Sequence, residues 1–139
     1  MFRFFLTADS NIETGVGKAL ISMTPKDFNR FIEKQEYGSS LKGIGVVFMC
    51  RSPHLEFKQR IRHSKKEQVL YMDIMLDYHD FVAMTHEQRI TTLCEKLLEE
   101  MPPIVRKYKF NDFDLDKLVN NLKIWFVEHG YISEMRSEL

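Results

Sequence analysis

Cysteine is scarce: Cys50 and Cys94 are the only two in 139 residues. One falls in an apolar run and the other at a core-type position of a helical pattern, so both read as buried free thiols rather than a disulfide or a metal pair. That suits a reducing compartment. Net charge is missing too. Twenty basic and twenty acidic side chains give +0 at pH 7, so no global field draws the chain to nucleic acid or a membrane surface, and any such role has to be local. No apolar run approaches the length of a membrane span. The opening Met1–Leu6 is too short for a signal-peptide core, and Asp9 and Glu13 stand where small cleavage-site residues would be. The expectation is a soluble, cytoplasmic protein. Gly/Ser linkers, repeats and low-complexity tracts are also absent. Residues 1–139 therefore read as one domain, with 131–139 as a frayed or helical tail.

What is present is a globular composition, 44% hydrophobic with 11 Phe, enough to bury a core without staples. Phe2 to Thr7 reads as a first strand. A helical stretch follows from about Ile12 to Met23, and Thr24-Pro-Lys-Asp27 restarts a helix with Thr24 as its cap and Phe28, Phe31 and Ile32 as its apolar stripe. Tyr37-Gly-Ser-Ser40 ends it. Ile44–Cys50 is a continuous apolar run, hence a strand covered on both faces and central in its sheet. Leu55, Phe57, Gln59 and Ile61 alternate with Glu56, Lys58, Arg60 and Arg62 as a further strand, and Ser64-Lys-Lys-Glu67 turns it into a hairpin. The partner is the long run Val69–Tyr78. Its Leu70, Met72, Ile74, Leu76 and Tyr78 fall on a core face, and its Val69, Tyr71, Asp73, Met75 and Asp77 on the other. Thr85-His-Glu-Gln88 is a capping box opening a helix through Ile90, Leu93, Cys94, Leu97, Leu98 and Met101, which Pro102-Pro103 ends or kinks. Asp114 caps a last helix with Leu118, Leu122, Trp125 and Phe126 on one face and Gly130 as its stop. The fold class expected is α+β: one domain with a mainly antiparallel sheet of about four strands packed against helices.

Chemical motifs fail on their own parts. Glu13-Thr-Gly-Val-Gly-Lys18 resembles a phosphate loop, but Ile12 replaces a required Gly and Ala19 the Ser or Thr that would hold magnesium. Asp112, Asp114 and Asp116 begin like a calcium loop, yet Lys117 and Lys123 occupy its glycine and bidentate-glutamate positions. The five histidines show no metal spacing. No catalytic residue, metal ligand or cofactor site is assigned, and the protein is not expected to be an enzyme. Two other classes stay open. An enzyme would need a site assembled in space, for example from His63, Asp73 and His79. A nucleic-acid-binding regulator would use the basic segment Arg51–Lys66, although the acids of Glu67–Asp80 can neutralise it across a hairpin.

Phe4-Phe-Leu-Thr7, Glu36-Tyr-Gly-Ser-Ser-Leu41, Met72-Asp-Ile-Met-Leu-Asp-Tyr-His-Asp-Phe81 and Asn111-Asp-Phe-Asp-Leu115 follow one another in an order similar to that of bacterial polymorphic-toxin immunity proteins, the group catalogued as immunity protein family forty-four. The resemblance runs from about Met1 to Val127. It implies a cytoplasmic α+β inhibitor, encoded beside a secreted or contact-delivered toxin in a contact-dependent growth inhibition or related system, that binds the toxin's C-terminal domain. A nuclease is one candidate for that toxin. It brings no catalytic motif. Candidate partner-binding residues are Tyr71, Asp73 and Asp77 on the non-core face of the long strand, Glu36 and Tyr37 in the turn, and Asp112, Asp114 and Asp116 at the last helix. Acids among them would complement the basic cleft of a nucleic-acid-cleaving toxin.

Overall fold

The computed structural model describes residues 1–8, 14–51 and 58–133. Strand β1 (Arg3–Ala8) leads through helices α1 (Val16–Met23) and α2 (Asp27–Glu33) to β2 (Gly43–Arg51). The hairpin β3 (Ile61–Ser64) and β4 (Val69–Asp77) follows, and α3 (Tyr78–Val82), α4 (His86–Lys107) and α5 (Leu115–Glu128) complete the chain. The four strands stand in the order β1-β2-β4-β3. The α+β class holds, but the expected antiparallel character does not: β1 pairs parallel to β2 and β2 parallel to β4, and only β3 and β4 run antiparallel. Two causes act. A connection that carries helices between β1 and β2 brings the chain back to the end of the sheet where it began, which makes the neighbours parallel. The hairpin partner β3 lies outside β4 instead of between β2 and β4. It is short, and Arg62 is exposed, so it suits an edge, whereas the long apolar β2 and β4 suit the centre.

The expected strand over Leu55–Arg62 is shifted. Lys58–Arg60 are not in a strand, Ile61–Ser64 are, and Leu55–Phe57 lie outside the described residues. The hairpin itself forms without the usual glycine because Gln68 takes the left-handed conformation, φ 59°. Its strain is offset by fixed partners: its carbonyl accepts from the Lys42 N–H at 2.7 Å, and its amide donates to the Ser39 and Ser40 carbonyls.

Alternate residues of the strands build one core. Phe4, Ile44, Val46, Phe48, Cys50, Leu70, Met72, Ile74 and Leu76 pack with the buried sides of all five helices, including Leu20, Phe28, Phe81, Leu97 and Phe126. Among the described residues, the helices thus occupy one side of the sheet. Tyr78, assigned to the strand from its alternation, instead starts α3, because the Asp77 side chain accepts the Asp80 N–H as an N-cap.

Helix boundaries obey the chemistry of their caps. Thr85 and Gln88 form the full reciprocal capping box of α4. Asp114 accepts the Lys117 N–H at the start of α5, and Gly130, φ 74°, ends it while Tyr131 and Gly130 donate back to the Phe126 and Val127 carbonyls. Thr24 closes α1, with its hydroxyl on the Leu20 carbonyl, and does not open α2, whose N-cap Lys26 supplies no side-chain bond. Pro102-Pro103 does not end α4, which runs on to Lys107. Burial of Ile104 and Val105, the next two residues, holds the helix together across the two missing N–H groups.

Candidate partner-binding surfaces

The eight candidate residues separate into two places, a corner beside the start of β2 and the outer side of β4. Glu36, Tyr37, Asp112, Asp114 and Asp116 gather at a corner where the turn before β2 meets the start of α5. There the Ser39 N–H and hydroxyl both donate to the Asp112 carboxylate, the Ser40 N–H and hydroxyl donate to the Asp112 carbonyl, and the Asp114 N–H donates to the Tyr37 carbonyl at 2.6 Å. Lys117 reaches the Glu36 carbonyl at 2.7 Å. Gly38 makes this approach feasible. Its φ is +123°, and a Cβ there would run into the Asp112 backbone carbonyl.

Much of the corner's polarity is therefore engaged in holding the corner shut. The Ser39 bonds keep the Asp112 carboxyl below its ordinary pKa. Tyr37 is buried, with its hydroxyl donating to the Ile32 carbonyl and accepting from Asn121, and burial raises its pKa. Asp116 extends into solvent with Arg106 at 3.8 Å. A groove of about 530 Å³ lies alongside, lined by Phe2, Glu33, Glu36, Tyr37 and Lys42.

Tyr71, Asp73 and Asp77 share the side of the sheet away from the helices, in register with Gly45, Val47 and Arg51 of β2. Asp73 lies inside this layer at 4% exposure and is bound by the Arg60 guanidinium at 2.9 Å and the Arg60 N–H at 3.2 Å. A buried carboxylate needs such partners. Asp77 is exposed at the far end of β4 and spends one oxygen capping α3. Tyr71 is half-buried, its hydroxyl on Glu67 and its ring beneath the Arg62 guanidinium at 4.4 Å.

Among the described residues, the alternatives kept open by the sequence are not assembled into sites. His63 is in register with Leu70 and so faces the core side, where it packs against Tyr108 and Phe110; Asp73 faces the other side of the same sheet. Within the described part of the basic segment, Arg60 serves Asp73 and Arg62 serves Tyr71; residues 52–57 lie outside the described residues. At the loop before α1, Gly15 is left-handed and its space is filled by the Arg89 guanidinium, which donates to the Phe81 and Val82 carbonyls; Ile12 and Glu13 lie outside the described residues. Among the described residues, no group of His, Cys, Asp and Glu side chains could hold a metal ion, and no helix is long and apolar enough to cross a membrane. Both cysteines are buried and neither forms a disulfide, and burial pushes the Cys94 thiol far up.

Three of the four segments quoted for the family likeness take part in a junction, Glu36–Leu41 with Asn111–Leu115 at the corner and Met72–Phe81 at the passage from β4 to α3, while Phe4–Thr7 lies within β1. The family described as Immunity protein 44 matches residues 2–128. The chain belongs to the immunity protein 44 family. No curated protein and no solved structure matches it. The outer side of the sheet carries Phe5 and Gly45, which the sequence reading passed over, and Arg62, which it had placed only in the basic segment. One signal was present: a glycine inside an apolar strand marks a close approach by a neighbour. Here a Cβ on Gly45 would come within 2.8 Å of the Tyr71 ring.

Proposed function

We propose that this protein binds the C-terminal domain of one cognate toxin and silences it as a stoichiometric inhibitor, without catalysis of its own. The observation that carries the reading is the family match over residues 2–128. Polymorphic-toxin or contact-dependent inhibition systems supply the setting, with the toxin gene adjacent, the encounter in the cytoplasm and a nuclease as one candidate for the toxin. On this reading Tyr71, Asp77, Glu36 and Asp116 offer accessible groups to the partner, while Asp73, Tyr37, Asp112 and Asp114 hold the surfaces in shape. Rigid surfaces lose little entropy on docking, which favours tight binding.

Co-expression with the toxin domain encoded next to it tests the proposal. Growth is expected to be rescued and the two chains to co-purify at one-to-one ratio. Failure of both rescue and complex formation would discard it.

A further inference from the structure

One row of residues crosses the outer side of all four strands: Phe5 of β1 opposite Gly45 of β2, Gly45 opposite Tyr71 of β4, and Tyr71 opposite Arg62 of β3. Phe5 and Tyr71 are half-buried, and Val47, in the next row up, is half-buried between Thr7 and Asp73. At each end of the row a guanidinium lies over an aromatic ring, Arg3 over Phe5 at 5.0 Å and Arg62 over Tyr71 at 4.4 Å. The two ends differ in charge balance. Arg3 has Glu33 at 3.6 Å, and one row above Arg62 the Arg60 guanidinium is spent on Asp73, whereas Arg62 makes no ion pair with a described residue.

Tyr71 is fixed from three directions: Gly45 beneath the ring, Glu67 on its hydroxyl at 3.2 Å and Arg62 above. An arginine stacked on a fixed ring keeps its N–H edges available, and a planar fork held in place is suited to grip a carboxylate with two parallel bonds. Aromatic and arginine side chains with apolar neighbours, and few lysines or glutamates at the middle, are also the composition of interface centres.

We infer that this row is the docking centre for the toxin domain and that Arg62 receives a carboxylate of an acidic, partly apolar patch on that partner. The inference rests on the immunity reading and adds the partner's chemistry to it. Charge complementarity picks this occupant: the row's own side chains carry one charge, the Arg62 guanidinium, and the Glu67 carboxylate beside it is held on the Tyr71 hydroxyl, while the aromatic faces that single-stranded nucleic acid would stack upon are already covered by guanidinium groups or the sheet.

The test compares four proteins, wild type, Arg62→Glu, Arg62→Gln and Arg30→Glu, by calorimetry against the adjacent toxin domain. Arg30 is exposed on α2, in the helix layer, so its reversal changes net charge equally without touching the row. Arg62→Glu is expected to weaken binding by roughly 30-fold or more and Arg62→Gln by roughly tenfold, with Arg30→Glu within about threefold of wild type. Should Arg62→Glu fail to fold, Arg62→Gln carries the comparison. Wild-type binding with both Arg62 variants unaffected would overturn the inference and leave the immunity reading standing. No binding by the wild type would remove both. A single-stranded 20-nucleotide RNA is titrated in parallel. Saturable RNA binding abolished by Arg62→Glu, with toxin affinity unchanged, would overturn the inference and assign the row to nucleic acid.

Discussion

Gly38 and Asp112 hold the corner between the turn and α5 through opposite properties, one by having no side chain and the other by having a charged one. Gly38→Ala must place a methyl against the Asp112 carbonyl at a φ that L residues rarely adopt, so urea unfolding is expected to show a loss of about 2–4 kcal/mol. Asp112 contributes through charge. Its folded pKa is depressed by the two Ser39 bonds, so its contribution is complete above the unfolded value of about 3.9 and disappears as pH falls through the folded value. Asp112→Asn should therefore be less stable than wild type at neutral pH, and the gap between the two should close on acidification below about pH 4. A gap that persists unchanged at pH 2 would show that the carboxylate's charge is not involved. The corner was legible as a family likeness in sequence, but its contacts were not, because Ser39 and Asp112 are far apart along the chain and neither belongs to a periodic pattern.

At the scale of elements, local chemistry was the most readable and pairing partners the least. The Thr85–Gln88 box and the Asp114 cap formed as their spacing dictates, since both ends of each bond lie within one turn. Of the two outcomes expected at Pro102-Pro103, termination did not occur, because propensity was weighed without the packing of the turn that follows it. Pro103 is exposed and Pro102 buried, so the two can be separated. Pro103→Ala restores an N–H to the ladder without removing core contacts. The helix-interior penalty of about 3 kcal/mol for proline is offset by about 1 kcal/mol of restriction in the unfolded chain, so thermal or urea unfolding should show a net gain of about 1–2 kcal/mol. A loss instead would mean that α4 is built around the proline. Sheet order was invisible for a different reason: the polar turn at residues 64–67 marks a hairpin but is silent on which side of β4 its partner lies.

Across the whole molecule, the division of β4 into a core side and an outer side could be read from alternation alone, and Leu70, Met72, Ile74 and Leu76 are buried as it required. What lies across from the outer residues could not, since that depends on registers set by distant segments. Arg3 and Arg62 reach the outer side only through the pairing of β1 and β3, which is why β4 considered alone looked acidic. Edge protection is similarly non-local: the backbone of Phe4, at the free margin of β1, is met by Glu33 at 2.8 Å and Asn29 at 3.0 Å from α2.

The registers of the sheet align strand to strand so that even-numbered positions of β1, β2 and β4 all fall inward and odd-numbered ones outward. Parity thus divides the labour of heredity. With the outer side as the docking face inferred above, a substitution at Phe5, Val47, Tyr71 or Met75 would alter what the molecule recognises while Phe4, Val46, Leu70 and Ile74 go on holding it together, so a lineage could follow a changing partner by single substitutions. An insertion or deletion of one residue within a strand would exchange the two roles at once. Drift in such a chain should therefore proceed by replacement within strands and by length change only between them.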